Sequence, residues 1–250
     1  MTAPSTLEVS MDTGAPGRIA AVCTVATLFP VAASGLMSGI DKRPSESPVR
    51  LLTHGVLGDV QGDHEHHGGI FKAVYAYSRE VREAFAASLG RDLPDGAFGE
   101  NLVTTGQDTD ETVIGERWRV GGTELEATCP RNPCGTFSAW IGDRRWGRTF
   151  TAQGRAGAYF RVLAEGEVGA GDTIEVLERP GHGVTIGDAF RGLGAAQARD
   201  LLDWAEASGT VLYESLAQSI ETALSRAGEP AHLPQRLRST GRGLGLGMGL

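Results

Sequence analysis

Between residues 18 and 179, short apolar runs alternate with glycine-rich breaks. The runs fall at 74–77, 124–128, 159–163 and 173–177, and the breaks read Gly-Asp, Gly-Gly, Pro-Asp-Gly and Gly-Ala-Gly-Asp. Runs of this length with turn residues between them predict short strands. The region is therefore expected to be mainly β within an α+β chain, folded as a twisted β-barrel or a compact sheet. Residues 19–37 carry no charge and match the length of a membrane span. They hold Pro30 and the β-branched Val22, Thr24, Val25 and Thr27, and they follow the acidic Glu8 and Asp12. That pattern reads as buried strand, neither a span nor a signal peptide. Residues 78–89 break the β trend. Val81, Phe85 and Leu89 recur every four residues behind Ser78, and Gly90 follows. This predicts a capped helix.

The period changes after Pro180. Thr185 and Asp188 form a capping-box pair ahead of a short helix at 185–192. Residues 195–207 place Ala198, Leu201, Leu202 and Ala205 on one stripe, and 210–227 do the same with Leu212, Leu216, Ile220, Ala223 and Leu224. The organisation read from these patterns is a flexible N-terminus at 1–17, a β-rich domain at 18–180, a three-helix domain at 182–228 and a Gly-rich flexible tail at 229–250. On this reading the β-rich domain folds without the helices. No internal repeat is visible.

At 250 residues the chain is long enough to bury a sizeable core. Its formal charge of −8 and pI near 5.3 argue against a nucleic-acid surface. An anionic ligand would then need a local basic pocket. Cys23, Cys129 and Cys134 are too few for a disulfide framework, and Cys129-x₄-Cys134 lacks the second pair a zinc site requires. A cytoplasmic location fits all three thiols.

Four segments carry chemistry. In Thr128-Cys-Pro-Arg-Asn-Pro-Cys134, two prolines stiffen the chain around Cys134, and Arg131 offers a planar fork to an anion. A thiolate near a cation is the form that attacks electrophiles or binds soft metals. The competing reading is a proline-rich turn with an incidental thiol. In the segment from Gly58 to Gly69, His64 and His66 read as polar loop residues. His67-Gly-Gly followed by Lys72 reads as an anion site, because glycine permits close backbone approach and lysine supplies a point charge. Phe98-Gly-Glu-Asn-Leu102 offers Glu100 and Asn101 either to a heterocycle or to a turn. Lys42 and Arg43 lie near a turn that could equally be an exposed basic one. No P-loop, dinucleotide fingerprint or serine nucleophile elbow is present.

In order, the chain reads Ser38-Gly-Ile-Asp-Lys-Arg-Pro, then Gly-Asp with His-His-Gly-Gly and Lys72, then Phe-Gly-Glu-Asn-Leu, Ile114-Gly-Glu-Arg-Trp-Arg-Val-Gly121 and Pro-Arg-Asn-Pro-Cys. Over about residues 18–228 this order resembles the MOSC domain family, the sulfurase-like domain of molybdenum-cofactor proteins, in the branch typified by YiiM. That branch carries a short helical domain after the β-rich one. The resemblance implies a MOSC-type barrel that binds molybdenum cofactor (molybdopterin), with Cys134 as the metal ligand and a catalytic residue. Arg131 would contact the anionic cofactor and assist catalysis, and Lys42, His67, Lys72 and Asn101 would line the pocket. It also implies reduction of N-hydroxylated small molecules with an external reductase as redox partner, since no flavin, haem or iron–sulfur pattern is visible. Persulfide-dependent sulfur transfer at Cys134 and cofactor carriage without turnover are the alternatives within the family, which also has a family-level association with pyridoxal phosphate. The chain departs from the branch after the cysteine, where Gly135-Thr136-Phe137 replaces an aromatic residue followed by lysine. Cys129 is an extra thiol, read as a core or supporting residue.

Overall fold

The uncharged stretch becomes a hairpin. In the computed structural model of the chain, which describes residues 16–31, 35–59, 69–230 and 232–239 with Leu7, Val9 and Met11, strand β1 (Arg18–Val31) turns back as β2 (Leu36–Pro44). The two pair antiparallel from Cys23 opposite Pro44 onward, with Pro30 opposite Met37. Strands β3 (Val49–Leu52), β4 (Gly55–Val56) and β5 (Val74–Ser78) follow, then helix α1 (Arg79–Leu89). Ser78 caps α1 through Val81 N, and Gly90 ends it at φ 59°. Next come β6 (Leu102–Thr105), β7 (Arg117–Val120), β8 (Thr123–Pro130), α2 (Gly135–Ile141), α3 (Trp146–Gln153), β9 (Ala158–Ala164), β10 (Gly166–Val168) and β11 (Ile174–Glu178). Helices α4 (Ile186–Arg191), α5 (Ala195–Ser208) and α6 (Glu214–Arg226) complete the C-terminal helical region. No helix among the described residues is long and apolar enough to cross a membrane.

Among the described residues, eight strands form one mixed sheet in the order β11-β7-β8-β9-β5-β6-β1-β2, and β10-β3-β4 form a second, smaller one. The β5–β6 pair is parallel, and α1 supplies the crossover that such a pair needs. The sheet-rich α+β architecture is as expected, but the large sheet is not closed into a barrel. Its ends are β11 and β2. An isolated bridge from Arg18 to Thr173 draws the start of β1 toward β11 without building a ladder. Beyond Cys23, β1 pairs with β2 alone.

Two apolar clusters dominate. One runs unbroken from Trp118, Leu125 and Phe160 in the sheet to Leu201, Leu216, Ile220 and Leu224 in the helices. Backbone bonds from Ile114 N to Val184 O (3.0 Å) and from Ile186 N to Thr112 O (2.9 Å) stitch the same junction. The helices therefore share one apolar cluster with the sheet. Gly115 fixes their approach: it sits at φ 82°, and a Cβ there would lie 2.3 Å from the Trp204 ring. The other cluster is aromatic. Tyr77, Phe85, Phe98, Phe137, Trp146 and Phe150 pack α1, α2 and α3 together, with Phe85 and Phe150 stacked at 5.7 Å.

Asp110 is a buried carboxylate behind these elements. Its Oδ1 accepts from Ala156 N (2.7 Å) and Gly157 N (3.2 Å). Its Oδ2 has no hydrogen bond and faces Arg155 Nε at 3.7 Å. Burial pushes its pKa up to about 6, against the pull of Arg155. A folded-state pKa above the unfolded value means the native state holds the extra proton. The contribution is thus fully present below about pH 4 and is lost as pH rises through about 6. Over that window Asp110 should lower stability by about 2–3 kcal/mol. Asp110→Asn, which keeps the Oδ1 acceptor, should flatten the slope in urea titrations. An unchanged slope would rule Asp110 out as its source.

Candidate functional site

The Pro-Arg-Asn-Pro segment carries the chain from the end of β8 into α2. Cys134 is the N-cap of α2, with extended backbone and no side-chain capping bond, and it is partly exposed. The helix behind it is fixed from below. Phe137 and Ile141 are buried, and Trp140 Nε1 donates to Ala97 O (2.9 Å) while its ring meets Phe29 edge-on at 5.4 Å. A thiol is thus presented at the surface from a rigid base.

Arg131 is buried beneath that thiol. It donates to the Phe98 carbonyl, and its guanidinium lies 4.1 Å from the Phe137 ring centroid and 5.0 Å from that of Tyr75. Burial works to lower its pKa, but Tyr159, Tyr75 and Cys134 outweigh burial and hold it raised. The Phe98 carbonyl is placed by Glu100, whose carboxylate accepts from Gly96 N and Phe98 N, both at 2.8 Å. Glu100 is fully buried, and burial raises its pKa despite those bonds. Its role is to tie the loop.

Asn101 is likewise committed to protein partners. Its Oδ1 accepts from Tyr75 N (3.3 Å), and its Nδ2 donates to Cys23 O (3.3 Å) and Asp59 Oδ2 (2.8 Å). Asp59 also pairs with the Lys42 ammonium, which burial shifts down in pKa and Asp59 supports. Lys42 and Asn101 therefore meet on one carboxylate. Asn101→Leu should cost about 2–4 kcal/mol, because it removes the side-chain partner of two buried backbone groups, while Asp59 keeps Lys42. Chemical denaturation checks this, and a loss below about 0.5 kcal/mol would contradict the scaffolding role.

Lys72 closes the near side at the end of a 3-10 turn over Ile70–Lys72. Its ammonium lies 5.6 Å from the Tyr159 ring centroid and 4.4 Å from that of Tyr213. Burial opposes its charge, but Cys129, Tyr213 and Tyr159 raise its pKa overall. Cys129 itself is fully buried. Burial, opposed by Lys72, pushes that thiol up to about 11, so it stays protonated and inert at neutral pH. Cys23 is buried too, and burial raises it further. His64, His66 and His67 lie outside the described residues.

The structure thus brings Arg131, Lys42, Lys72, Asn101 and Cys134 into one linked network. Arg131 lies against the Tyr75 ring, Tyr75 lies 5.1 Å from Tyr159, and Lys72 lies against Tyr159, while Tyr75 N donates to Asn101 Oδ1. Sequence reading passed over Tyr75, Tyr159, Tyr213 and Asp59. Asp59 had a signal, since it belongs to the Gly-Asp pair that opens the His-rich segment. Tyr213, the N-cap of α6, had none, because only tertiary packing carries it to Lys72.

Comparison with known proteins bears on this arrangement. Residues 63–175 match the MOSC domain. The chain is 36% identical over 154 residues to the uncharacterized protein YflK of Bacillus subtilis strain 168, covering 62% of this chain and 70% of YflK. The chain belongs to the MOSC domain family. The matched segment includes Lys72, Asn101, Arg131 and Cys134, while Lys42 precedes it. A protein named "Reductase" from Gibberella moniliformis is 37% identical over 152 residues, 58% of this chain but only 26% of that protein. The chain spans about a quarter of that relative. In three dimensions it resembles YiiM from Geobacillus stearothermophilus, with a TM-score of 0.63 at 22% identity over 82% of this chain and all of YiiM. That likeness shows the shared MOSC fold.

Proposed function

We propose that this MOSC protein is an oxidoreductase that uses molybdenum cofactor to reduce N-hydroxylated small molecules. The observation that carries the reading is a partly exposed thiol, Cys134, held on a rigid helix start above the buried cation Arg131. The relative named a reductase supports the same broad class.

The residues present fit the group. Among the described residues no three His, Cys, Asp or Glu side chains converge on a metal position, so a metal at Cys134 would bring most of its own ligands. A pterin dithiolene does so with soft sulfur, which matches a thiolate partner. When bound, it supplies a two-electron redox centre. Cys134 would hold the metal. Lys72 and Arg131 would balance the cofactor's anionic charge in a chain that is otherwise acidic. Lys42 and Asn101 would act through Asp59, keeping that carboxylate neutralised and aimed away from the anion. The net reaction is R–NHOH + 2 e⁻ + 2 H⁺ → R–NH₂ + H₂O, with electrons from a separate reductant.

Persulfide transfer at Cys134 would find no relay in Cys129, whose buried and protonated thiol is a poor one. The test is to express the chain in a cofactor-competent host and to measure molybdenum and pterin. Reduction of a hydroxylamino compound with reduced methyl viologen is then followed. Metal-free protein that passes a labelled persulfide from Cys134 to an acceptor would overturn the reading.

A further inference from the structure

We infer that the outer face of α2 and α3 is the docking surface for an acidic protein, the one that delivers electrons to the site. Arg144, Arg145 and Arg148 are all exposed there. Among the described residues, none of the three has an ion pair. Arg91 extends the face: it is exposed, and its guanidinium donates to Ile141 O (2.7 Å) at the end of α2. Several arginines elsewhere are matched to carboxylates, as Arg117 and Arg119 are to Glu124, Arg161 to Glu126 and Arg155 to Asp108. The carboxylates on this face are Asp143, whose Oδ1 accepts from Arg145 N (2.8 Å), and the exposed Asp92. Four guanidinium groups against two carboxylates leave a positive face on a chain of charge −8.

Its position is what gives this face a role. Two adjoining grooves of about 560 and 520 Å³ run across it, sharing Ser138 and Arg144. One is lined by Pro133 and the other by Gly135, the two neighbours of Cys134. The face is also preformed, because Phe137, Trp146 and Phe150 lock both helices into the aromatic cluster. A small anion would need guanidinium groups held in a converging cradle. Here they are spread over the segment after α1, the turn between α2 and α3, and α3 itself, which suits a broad partner surface. Arginine is favoured at such interfaces, and charge complementarity steers an acidic partner to the edge of the thiol site.

The identity of the occupant rests on the reductase reading, so the test separates the two. The cofactor-loaded full chain is compared with the triple variant Arg144→Glu, Arg145→Glu, Arg148→Glu. The donor is reduced plant-type ferredoxin, a small acidic one-electron carrier, with two carriers oxidised per amine formed. At low ionic strength the wild type should bind the carrier and turn over. The variant should do so at least about tenfold more slowly, and salt should erase most of the difference. Rates with reduced methyl viologen, which needs no docking face, should agree within about twofold. The triple Arg→Lys variant should retain most of the ferredoxin rate. Equal carrier binding by wild type and Glu variant, or no binding by wild type at low salt, would overturn the docking face. So would displacement of the carrier by one equivalent of inorganic phosphate, which would make the face a small-anion site. Failure with viologen while carrier binding stays arginine-dependent would instead overturn the reductase reading and leave the face standing.

Discussion

Cys134→Ser should abolish bound molybdenum and reductase turnover while leaving the melting temperature unchanged or slightly raised. The two halves of this result have separate causes. The serine hydroxyl is a hard, weakly acidic donor that cannot replace a soft thiolate at a thiophilic metal. Cys134 also occupies the N-cap of α2 with its side chain making no capping bond, and serine is among the preferred residues at that position. The substitution could therefore add about 0.5–1 kcal/mol to the helix while deleting the chemistry. Metal analysis, turnover with viologen and a thermal melt read all three quantities on one preparation. Full metal content in the serine variant would sink the ligand assignment. Cys129→Ser should behave oppositely. It desolvates a hydroxyl at about 1–3 kcal/mol and should keep activity per folded molecule.

The second large effect is global. A chain ending at Arg179 should lose its cooperative thermal transition. Truncation removes one wall of the cluster that holds Trp118, Leu125 and Phe160. It also removes Val184 O, the acceptor for buried Ile114 N, and Ile186 N, the donor to Thr112 O. Uncovering two or three large side chains costs about 1.5–3 kcal/mol each, and a stranded backbone donor adds about 1–3 kcal/mol. Together these reach the scale of a whole domain's stability, about 5–15 kcal/mol. A truncated protein that melts cooperatively near the full-length temperature would show that the sheet is self-sufficient.

Local chemistry was legible wherever a residue's partners are near in sequence. Ser78 and Gly90 bounded α1, and Thr185 with Asp188 announced α4, because caps act within one turn. The strands at 74–78, 123–130, 158–164 and 174–178 followed from apolar runs between turns. Helices α2 and α3 were missed, although Phe137 with Ile141 and Trp146 with Phe150 are spaced four apart and Gly142 and Gly154 end them. At seven and eight residues they are too short for periodicity to stand out from strand-like apolar runs. At the candidate site, the thiol and its arginine stand out from sequence alone. The roles of Lys42 and Asn101 do not, because both depend on Asp59, which the fold brings to them from another part of the chain.

The contact between Gly115 and Trp204 gives the molecule a natural optical probe. The indole of α5 rests directly on the backbone of the turn before β7, where no side chain intervenes, and His182 lies 4.8 Å from it. The same helical region carries Tyr213 to Lys72. An anion captured at Lys72 would therefore be felt, through Tyr213, by the layer in which Trp204 sits, and the indole's emission should report that occupancy without a label. Gly115→Ala would push the indole away from that turn and so set the zero of that signal from a position outside the site.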